Sequence, residues 1–282
     1  MSARWLAAVT IAGLACFAQP FAACAQGAPR GSIAQADPAK PEMRASCTGL
    51  VARREDRIRP QRVSLDPGNV RLTFVGHATF LIESPQGVRI ATDYNDFVRP
   101  AVLPDIATMN HAHITHYTDA PDPGIKMVLR GWTPDGSPAR HDVQYKDVRI
   151  RNVVTNTRTW SGATERNGNS IFIFEIAGLC VVHLGHLHHT LTQQQLDEIG
   201  RPDVVMVPVD GSYTLDLDGM VDVLRSLKAQ VMLPMHYFGA ATLQRFLDHV
   251  GTIWPVETAP VPMLVVSKST LPPPKIVVLP GH

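Results

Sequence analysis

The sequence has no large excess of charge, and after its first 25 residues it has no apolar run long enough to cross a bilayer. The formal net charge of +1 gives no overall field that would attract nucleic acid or an anionic membrane surface. A membrane-spanning helix needs about 20 consecutive apolar residues. We therefore expect a small-molecule substrate, no nucleic-acid partner and no stable membrane insertion of the mature chain. The sequence does not determine the oligomeric state.

Cysteine is scarce, with four residues in 282, and we find no convincing motif for a serine or cysteine nucleophile. Two of the four lie in the N-terminal segment described next. The others, Cys47 and Cys180, form an even pair that an oxidising compartment could join in a disulfide. Because Cys180 lies in an apolar run, it is explained equally well as a small buried side chain. The sequence leaves both interpretations open.

Residues 1–25 have the pattern of a secretory signal peptide. A positively charged start is followed by an apolar stretch at residues 5–21 and by a small-x-small cleavage site, Ala-Cys-Ala, at residues 23–25. The apolar stretch is short for a membrane anchor, and polar sequence follows it at once. We predict cleavage before Gln26 and a periplasmic or secreted mature protein.

The rest of the chain divides into an irregular lead-in at residues 26–68 and one domain at residues 69–282. The first half of the domain is rich in short strands, predicted at residues 70–75, 79–83, 88–92, 106–109, 126–130, 147–154, 170–176 and 179–183. The second half alternates helices with strands, the helices being predicted between Thr192 and Gly200 and at residues 217–227 and 242–250. This order predicts an α/β fold of two sheets with helices outside them.

Histidine is abundant and clustered. Eight of the twelve histidines lie in three places: His111, His113 and His116; His183, His186, His188 and His189; and His236. Imidazole is the commonest protein ligand for zinc. Residues two apart on an extended strand point the same way, so the first cluster can converge on one ion. The pattern predicts a metal site.

Several short motifs together resemble the metallo-β-lactamase superfamily. They are GHATFLIE at residues 76–83, Thr92-Asp93, the first histidine cluster, HLGH at residues 183–186 and PMHY at residues 234–237. The branch that they resemble contains bacterial metal-dependent hydrolases similar to ascorbate-6-phosphate lactonase and the related phosphodiesterases. This resemblance covers residues 70–237 and implies an αββα four-layer sandwich, with the site at the loop-bearing edge between the sheets.

The resemblance also implies roles for individual residues. Relatives bind up to two metals, and by position His111 and His113 match the ligands of one, while His116 and His236 match those of the other. Asp93 matches an aspartate that hydrogen-bonds a ligand histidine and fixes its tautomer. His77 is expected beside it, as an outer residue supporting the ligands or as a buried structural histidine.

Three positions depart from the family pattern. Thr115 and His186 stand where relatives have ligand aspartates, and Thr157 aligns where they have a further histidine. A carboxylate can bridge two cations and neutralise part of their charge, whereas neutral imidazole cannot. We therefore predict one ion, with zinc favoured over iron or manganese. The candidate ligands are His111, His113, His116, His186 and His236.

The function implied is hydrolysis of an ester-like bond, a lactone or a phosphodiester, by a metal-bound hydroxide; no catalytic side chain is identified. A non-catalytic metal-binding protein on a degenerated hydrolase fold is the main alternative, and an iron-dependent oxidoreductase is a third. His183 is interpreted as a possible core residue, and His188 and His189 as possible lining of the pocket entrance.

Overall fold

Two β-sheets and three helices form the part of the chain that the computed structural model describes, residues 65–110 and 113–281. In chain order the elements are β1 (Val70–Gly76), β2 (Thr79–Glu83), β3 (Arg89–Ala91), β4 (Ile106–Met109), β5 (Met127–Arg130), β6 (Asp142–Tyr145), β7 (Val148–Arg158), β8 (Thr164–Ile176), β9 (Leu179–His183), α1 (Gln193–Ile199), β10 (Val204–Pro208), α2 (Leu217–Leu227), β11 (Val231–Met235), α3 (Ala240–Val250), β12 (Val256–Thr258), β13 (Met263–Val266) and β14 (Lys275–Val278).

The first sheet has the strand order β13-β1-β2-β3-β4-β5. β1, β2 and β3 pair antiparallel, whereas β3, β4 and β5 run parallel. The change of direction places the carboxyl ends of β3 and β4 at one edge of the sheet. The loops that follow these two strands carry Asp93 and His116.

The second sheet has the strand order β12-β14-β11-β10-β9-β8-β7-β6. Strands β6 to β9 form an antiparallel meander, and β9, β10, β11 and β14 run parallel. Parallel neighbours need a crossover connection, which α1 and α2 provide here. β10 and β11 are buried on both faces, as expected for central strands covered on both sides.

Two hydrophobic clusters hold these layers together. The first joins side chains of both sheets, such as Phe80 of β2 and Phe172 of β8, and therefore fills the space between the sheets. The second joins the other face of the second sheet to the helices, for example Val207 to Leu224 and Phe246. Two packed sheets with helices outside confirm the predicted α/β class. All three helices of the described residues pack on the second sheet.

The predicted element order agrees well with the structure. The capping box of α1 is present, because Thr192 and Gln195 each bond the other's backbone N–H through their side chains. The edge strands β6 and β12 were not predicted, since both are largely exposed and have no apolar run.

The predicted signal peptide and most of the lead-in lie outside the described residues. Within the described residues, no helix combines the length and apolar character needed to cross a membrane.

Candidate metal centre

The candidate site lies where several strands of both sheets end. In open α/β sheets, ligands bind in the crevice at the carboxyl ends of the strands. The polar residues that follow strands here are His77 after β1, Asp93 after β3, His116 in the loop after β4, His186 after β9, Asp210 after β10 and His236 after β11. Residues that are up to about 160 positions apart in the sequence thus meet at one edge.

Two buried histidines, His116 and His236, are each held by a buried carboxylate. His116 Nδ1 lies 2.7 Å from Asp93 Oδ2, and His236 Nδ1 lies 3.0 Å from Asp210 Oδ1. The two rings are parallel within 2°, and their Nε2 atoms lie 3.2 Å apart. A carboxylate that accepts from Nδ1–H fixes the tautomer whose Nε2 offers a lone pair.

The separation of the two Nε2 atoms fits ligation of one ion. Two lone pairs facing each other at 3.2 Å repel unless a cation or a proton lies between them. Zinc–nitrogen distances of about 2.0–2.1 Å with tetrahedral angles place neighbouring ligand nitrogens about 3.3 Å apart. The donor pair therefore has the spacing that a single tetrahedral ion requires.

Asp210 is strongly bound in its charged form. Its carboxylate accepts from the backbone N–H groups of Ser212, Tyr213 and Thr214 and from the Thr214 hydroxyl. Burial raises the pKa of Asp210, but the hydrogen bonds from His236 and this loop outweigh it, so the pKa lies below its ordinary value. Sequence reasoning missed this residue, although its position directly after a buried strand matches that of Asp93.

His77 joins His116 and His236 in one group of candidate metal ligands, the donor group. One ligand nitrogen from each of His77, His116 and His236 lies within 4.8 Å of the others. His77 Nε2 is buried and has no hydrogen-bond partner among the described residues. Burial, followed by the charge of His236, lowers the pKa of His77 to about 3, which keeps its ring neutral. A neutral imidazole is the form that binds a metal.

His77 lies in a tight turn at this donor group, and its role as a residue supporting the ligands or as a structural histidine stays a prediction. Gly76 and His77 both have positive φ, 146° and 49°, in the tight turn between β1 and β2. The His77 carbonyl accepts from the His236 backbone N–H at 2.7 Å, which ties this turn to the loop after β11. The turn thereby brings the ring among the donors.

His186 and His113 border this group. The ring of His186 lies 4.7 Å from that of His116 and 4.9 Å from that of His236, between centroids. His113 is more distant and exposed, with its ring 5.9 Å from His116 and 6.0 Å from His186. Metal binding by His186 and by His113 stays a prediction. The third candidate, His111, lies outside the described residues.

The contact predicted for Asp93 is present. Besides accepting from His116, its carboxylate accepts from the Asn110 backbone N–H at 2.9 Å, which fixes the end of β4. Its effect on metal affinity stays a prediction. Of the departures from the family pattern, Thr115 contacts His113 at 3.1 Å, and Thr157 donates to Glu165 at 3.0 Å.

His183 and His188 have other partners. His183 is fully buried, and its Nδ1 accepts from the Asn110 side chain and from the Gly185 N–H, both at 3.1 Å. Its Nε2 therefore carries the proton and donates to the Ala78 carbonyl at 2.8 Å, which confirms a core role. His188 Nδ1 accepts from the Arg158 N–H at 2.9 Å.

A cavity of about 930 Å³ opens onto the donor group. Imidazoles and aromatic side chains dominate its lining, which consists of His77, His113, Thr115, Arg158, Thr159, Trp160, Gly162, Glu165, His186, His188, Ser212, Tyr213, His236 and Phe238. The volume is large enough for a small-molecule substrate beside the histidines. His188 lines this cavity, as predicted, whereas His189 is not among the lining residues.

Comparison with known proteins identifies the family. The model of the Beta-lactamase superfamily domain matches residues 71–236, which is more than half of the chain. A metal-dependent hydrolase of Archaeoglobus fulgidus is 29% identical over 196 residues, covering 60% of this chain and 83% of the relative. One from Thermoplasma volcanium is 25% identical over 205 residues, covering 60% and 84%.

A solved structure agrees with these relatives. It is a Thermotoga maritima protein, assigned by inference as a Zn-dependent hydrolase of the metallo-β-lactamase superfamily. It is 30% identical, its TM-score is 0.57, and the match covers 76% of this chain and all of that one. Membership in the ascorbate-6-phosphate lactonase branch in particular stays a prediction. The chain belongs to the metallo-β-lactamase superfamily and, within it, to the metal-dependent hydrolases.

Proposed function

We propose that the protein is a mononuclear zinc hydrolase that cleaves an ester-like bond, a lactone or a phosphodiester, in a small molecule. The observation that carries this proposal is the pair of Nε2 atoms of His116 and His236, 3.2 Å apart, each on a ring whose Nδ1 is bonded to a carboxylate. His77 or His186 supplies a third nitrogen. Three histidines would hold a zinc ion and leave room for water, as in catalytic zinc sites.

Each residue at the centre has a definable task. His116 and His236 would hold the ion, while Asp93 and Asp210 keep their rings in one orientation and one tautomer. A bound zinc ion would supply the nucleophile, since it lowers the pKa of its water to about 7. The cavity holds the substrate beside the open position.

The choice of one ion over two rests on the missing carboxylates. Thr115 and His186 stand at the two positions where the family pattern has ligand aspartates. Asp93 and Asp210 lie behind the histidines, bonded to Nδ1 atoms, and are therefore engaged in orienting them. Glu165, the one carboxylate among the residues that line the cavity, accepts from Thr157 at 3.0 Å. The other candidate ligands for a second cation are neutral imidazoles, which offset none of its charge.

Metal analysis of the mature protein, combined with hydrolysis assays, tests the proposal. We expect about one zinc per chain, and cleavage of a lactone or a phosphodiester that stops when a chelator removes the metal and returns when zinc is restored. Two tightly bound ions per chain would contradict the mononuclear site. Full metal occupancy without cleavage of any ester would instead favour a non-catalytic metal-binding protein, the alternative that the lost carboxylates support.

Export to the periplasm or the medium is part of the proposal. It is supported by the positive start, the apolar stretch and the Ala-Cys-Ala site of residues 1–25. Intact-mass measurement of the exported protein is expected to give a chain that begins at Gln26. A mature chain that retains Trp5, or that carries a lipid on Cys24, would refute this cleavage site.

A further inference from the structure

We propose that the substrate is an uncharged ester, of the lactone type, that carries an apolar planar group bound against the aromatic wall formed by Phe238, Tyr213 and Trp160. This inference rests on the proposed hydrolase function and narrows its substrate class. It excludes the phosphodiester as the preferred substrate.

The aromatic wall begins at the metal centre and extends outward from it. The ring of Phe238 lies 5.5 Å from that of His236 and 5.7 Å from that of His77, between centroids. Tyr213 follows at 5.4 Å from Phe238, and Trp160 at 6.3 Å from Tyr213. Consecutive rings are steeply inclined, at 69° and 83°, which is the edge-to-face arrangement that aromatic pairs favour. All three residues line the cavity.

The exposure of the wall points to a ligand. Phe238 is 61% exposed, Tyr213 52% and Trp160 91%. Single exposed apolar residues are ordinary on protein surfaces, but a contiguous apolar patch in a pocket marks a binding site. The patch adjoins the nitrogens that would hold the catalytic ion, so an apolar group bound there belongs to the molecule being cleaved.

Two of the three wall residues come from loops that also build the metal centre. Phe238 stands two residues after His236. The Tyr213 backbone N–H donates to Asp210 Oδ2 at 2.6 Å, so the carboxylate that orients His236 also holds this loop. Phe238 and Tyr213 are thereby fixed relative to the metal centre. Trp160 lies in the tight turn between β7 and β8, closed by a hydrogen bond from Thr159 N–H to the Ala163 carbonyl.

The charges of the pocket disfavour an anionic substrate. Arg158 and Glu165 are its two lining residues with a permanent charge, and their charges are opposite. The Arg158 guanidinium already donates to the Thr214 carbonyl at 2.8 Å and to His188 Nδ1 at 3.3 Å. These bonds engage part of the guanidinium, and Glu165 offsets its charge, so the pocket offers no net positive charge to a phosphodiester.

A bound divalent ion would not make the pocket favourable for an anionic substrate. Asp93 and Asp210, each bonded to a ligand histidine, together carry the charge that balances one divalent cation. An electrostatic account of a metal site has to include both the ion and these carboxylates. With the ion's charge offset, the apolar wall is the dominant source of binding energy for the substrate, because burial of apolar area needs no charge.

The test compares three probes on the zinc-loaded mature protein. γ-Phenyl-γ-butyrolactone and γ-butyrolactone differ by one apolar planar group, and bis(4-nitrophenyl) phosphate is an anionic diester. We expect kcat/KM to be highest for the phenyl lactone, at least about tenfold above the unsubstituted lactone and mainly through KM, since burial of one ring contributes about 1.5–3 kcal/mol.

Variants show whether the wall causes the preference. Trp160→Ala and Tyr213→Ala are each expected to reduce the advantage of the phenyl lactone over γ-butyrolactone by about 2- to 12-fold, the range that aromatic contacts of about 0.5–1.5 kcal/mol imply. Phe97→Ala is the matched control, because Phe97 is 70% exposed but does not line the cavity. Phe97→Ala should leave kcat/KM unchanged for all three probes.

Several outcomes would overturn the inference while leaving hydrolysis intact. They are a preference for the phosphodiester, equal rates for the two lactones, or wall variants that alter the oligomeric state and not the selectivity. If no ester is cleaved, the proposed function fails. Binding of 5-phenyl-2-pyrrolidinone, a lactam that resists hydrolysis, then decides whether the aromatic wall is a ligand site. Quenching of tryptophan fluorescence that is lost in Trp160→Ala would support the wall as a ligand site, and absence of binding would refute it.

Discussion

Replacing His236 or His116 by alanine is expected to lower metal affinity by more than about 100-fold and to abolish hydrolysis. Losing even an outer partner of a ligand typically costs about 10–100-fold, and the loss of a ligand nitrogen costs more. Each substitution also leaves a buried carboxylate without its imidazole partner, Asp210 or Asp93 respectively. Metal quantification after equilibrium dialysis, with a thermal unfolding scan of each variant, measures the effect.

The same measurement separates His77 from His186 as the third ligand. If His77 completes the site, His77→Ala loses metal and His186→Ala retains most of it; the opposite result assigns the ligand to His186. His249→Ala is the matched control, because this histidine lies on α3, far from the donor group in the sequence, with its Nε2 3.0 Å from the surface carboxylate of Asp218. Full metal occupancy in either His116→Ala or His236→Ala would show that the Nε2 pair is not the centre.

Asp210→Asn is expected to weaken metal affinity by about 10–100-fold without unfolding the protein. Asparagine retains one oxygen for the loop of residues 212–214, but it can present an amide N–H to His236 Nδ1. A hydrogen bond from this amide favours the tautomer of His236 that has its lone pair on Nδ1 and its proton on Nε2. The lone pair then points away from His116. Asp93→Asn should act in the same way through His116, which makes the two substitutions a matched pair. The measurement is a competition titration against a chromogenic chelator.

The control for these changes is Asp216→Asn. Asp216 is the N-cap of α2, accepting from the Gly219 N–H at 2.9 Å, and asparagine caps a helix about as well as aspartate. Metal affinity should therefore be unchanged in this variant. Wild-type affinity in Asp210→Asn would mean that the His236–Asp210 contact serves only the fold of the loop.

The sequence predicted most of the fold because its signals are local. Alternation and apolar runs identified the strands of both sheets, and the Thr192–Gln195 pair identified the start of α1. The two edge strands of the second sheet, Asp142–Tyr145 and Val256–Thr258, were missed, since an exposed strand is stabilised by its neighbour and not by burial of its own side chains. The histidine clusters and motifs likewise pointed to a metal site in a metallo-β-lactamase fold.

The membership of the donor group was decided by tertiary structure. His116 and His236 are 120 positions apart, and their Nε2 atoms converge only because two strands of different sheets end at one edge. His77 joins them through a turn with positive φ, and Asp210 through a loop that folds around its carboxylate. No local pattern encodes these orientations, since each depends on contacts between segments that are distant in the sequence.

By itself, then, the sequence determined the family, the order of the elements and the kind of ligand, because residue type and local periodicity carry that information. The tertiary structure decided which imidazoles meet, which carboxylates orient them, and which rings form the aromatic wall. Phe238, Tyr213 and Trp160 come from three different loops, and nothing in their sequence spacing indicates that they adjoin. All three loops follow strands of the second sheet, β7, β10 and β11, and the strand order of that sheet brings them to one edge, where His77 and His113 from the first sheet complete the cavity.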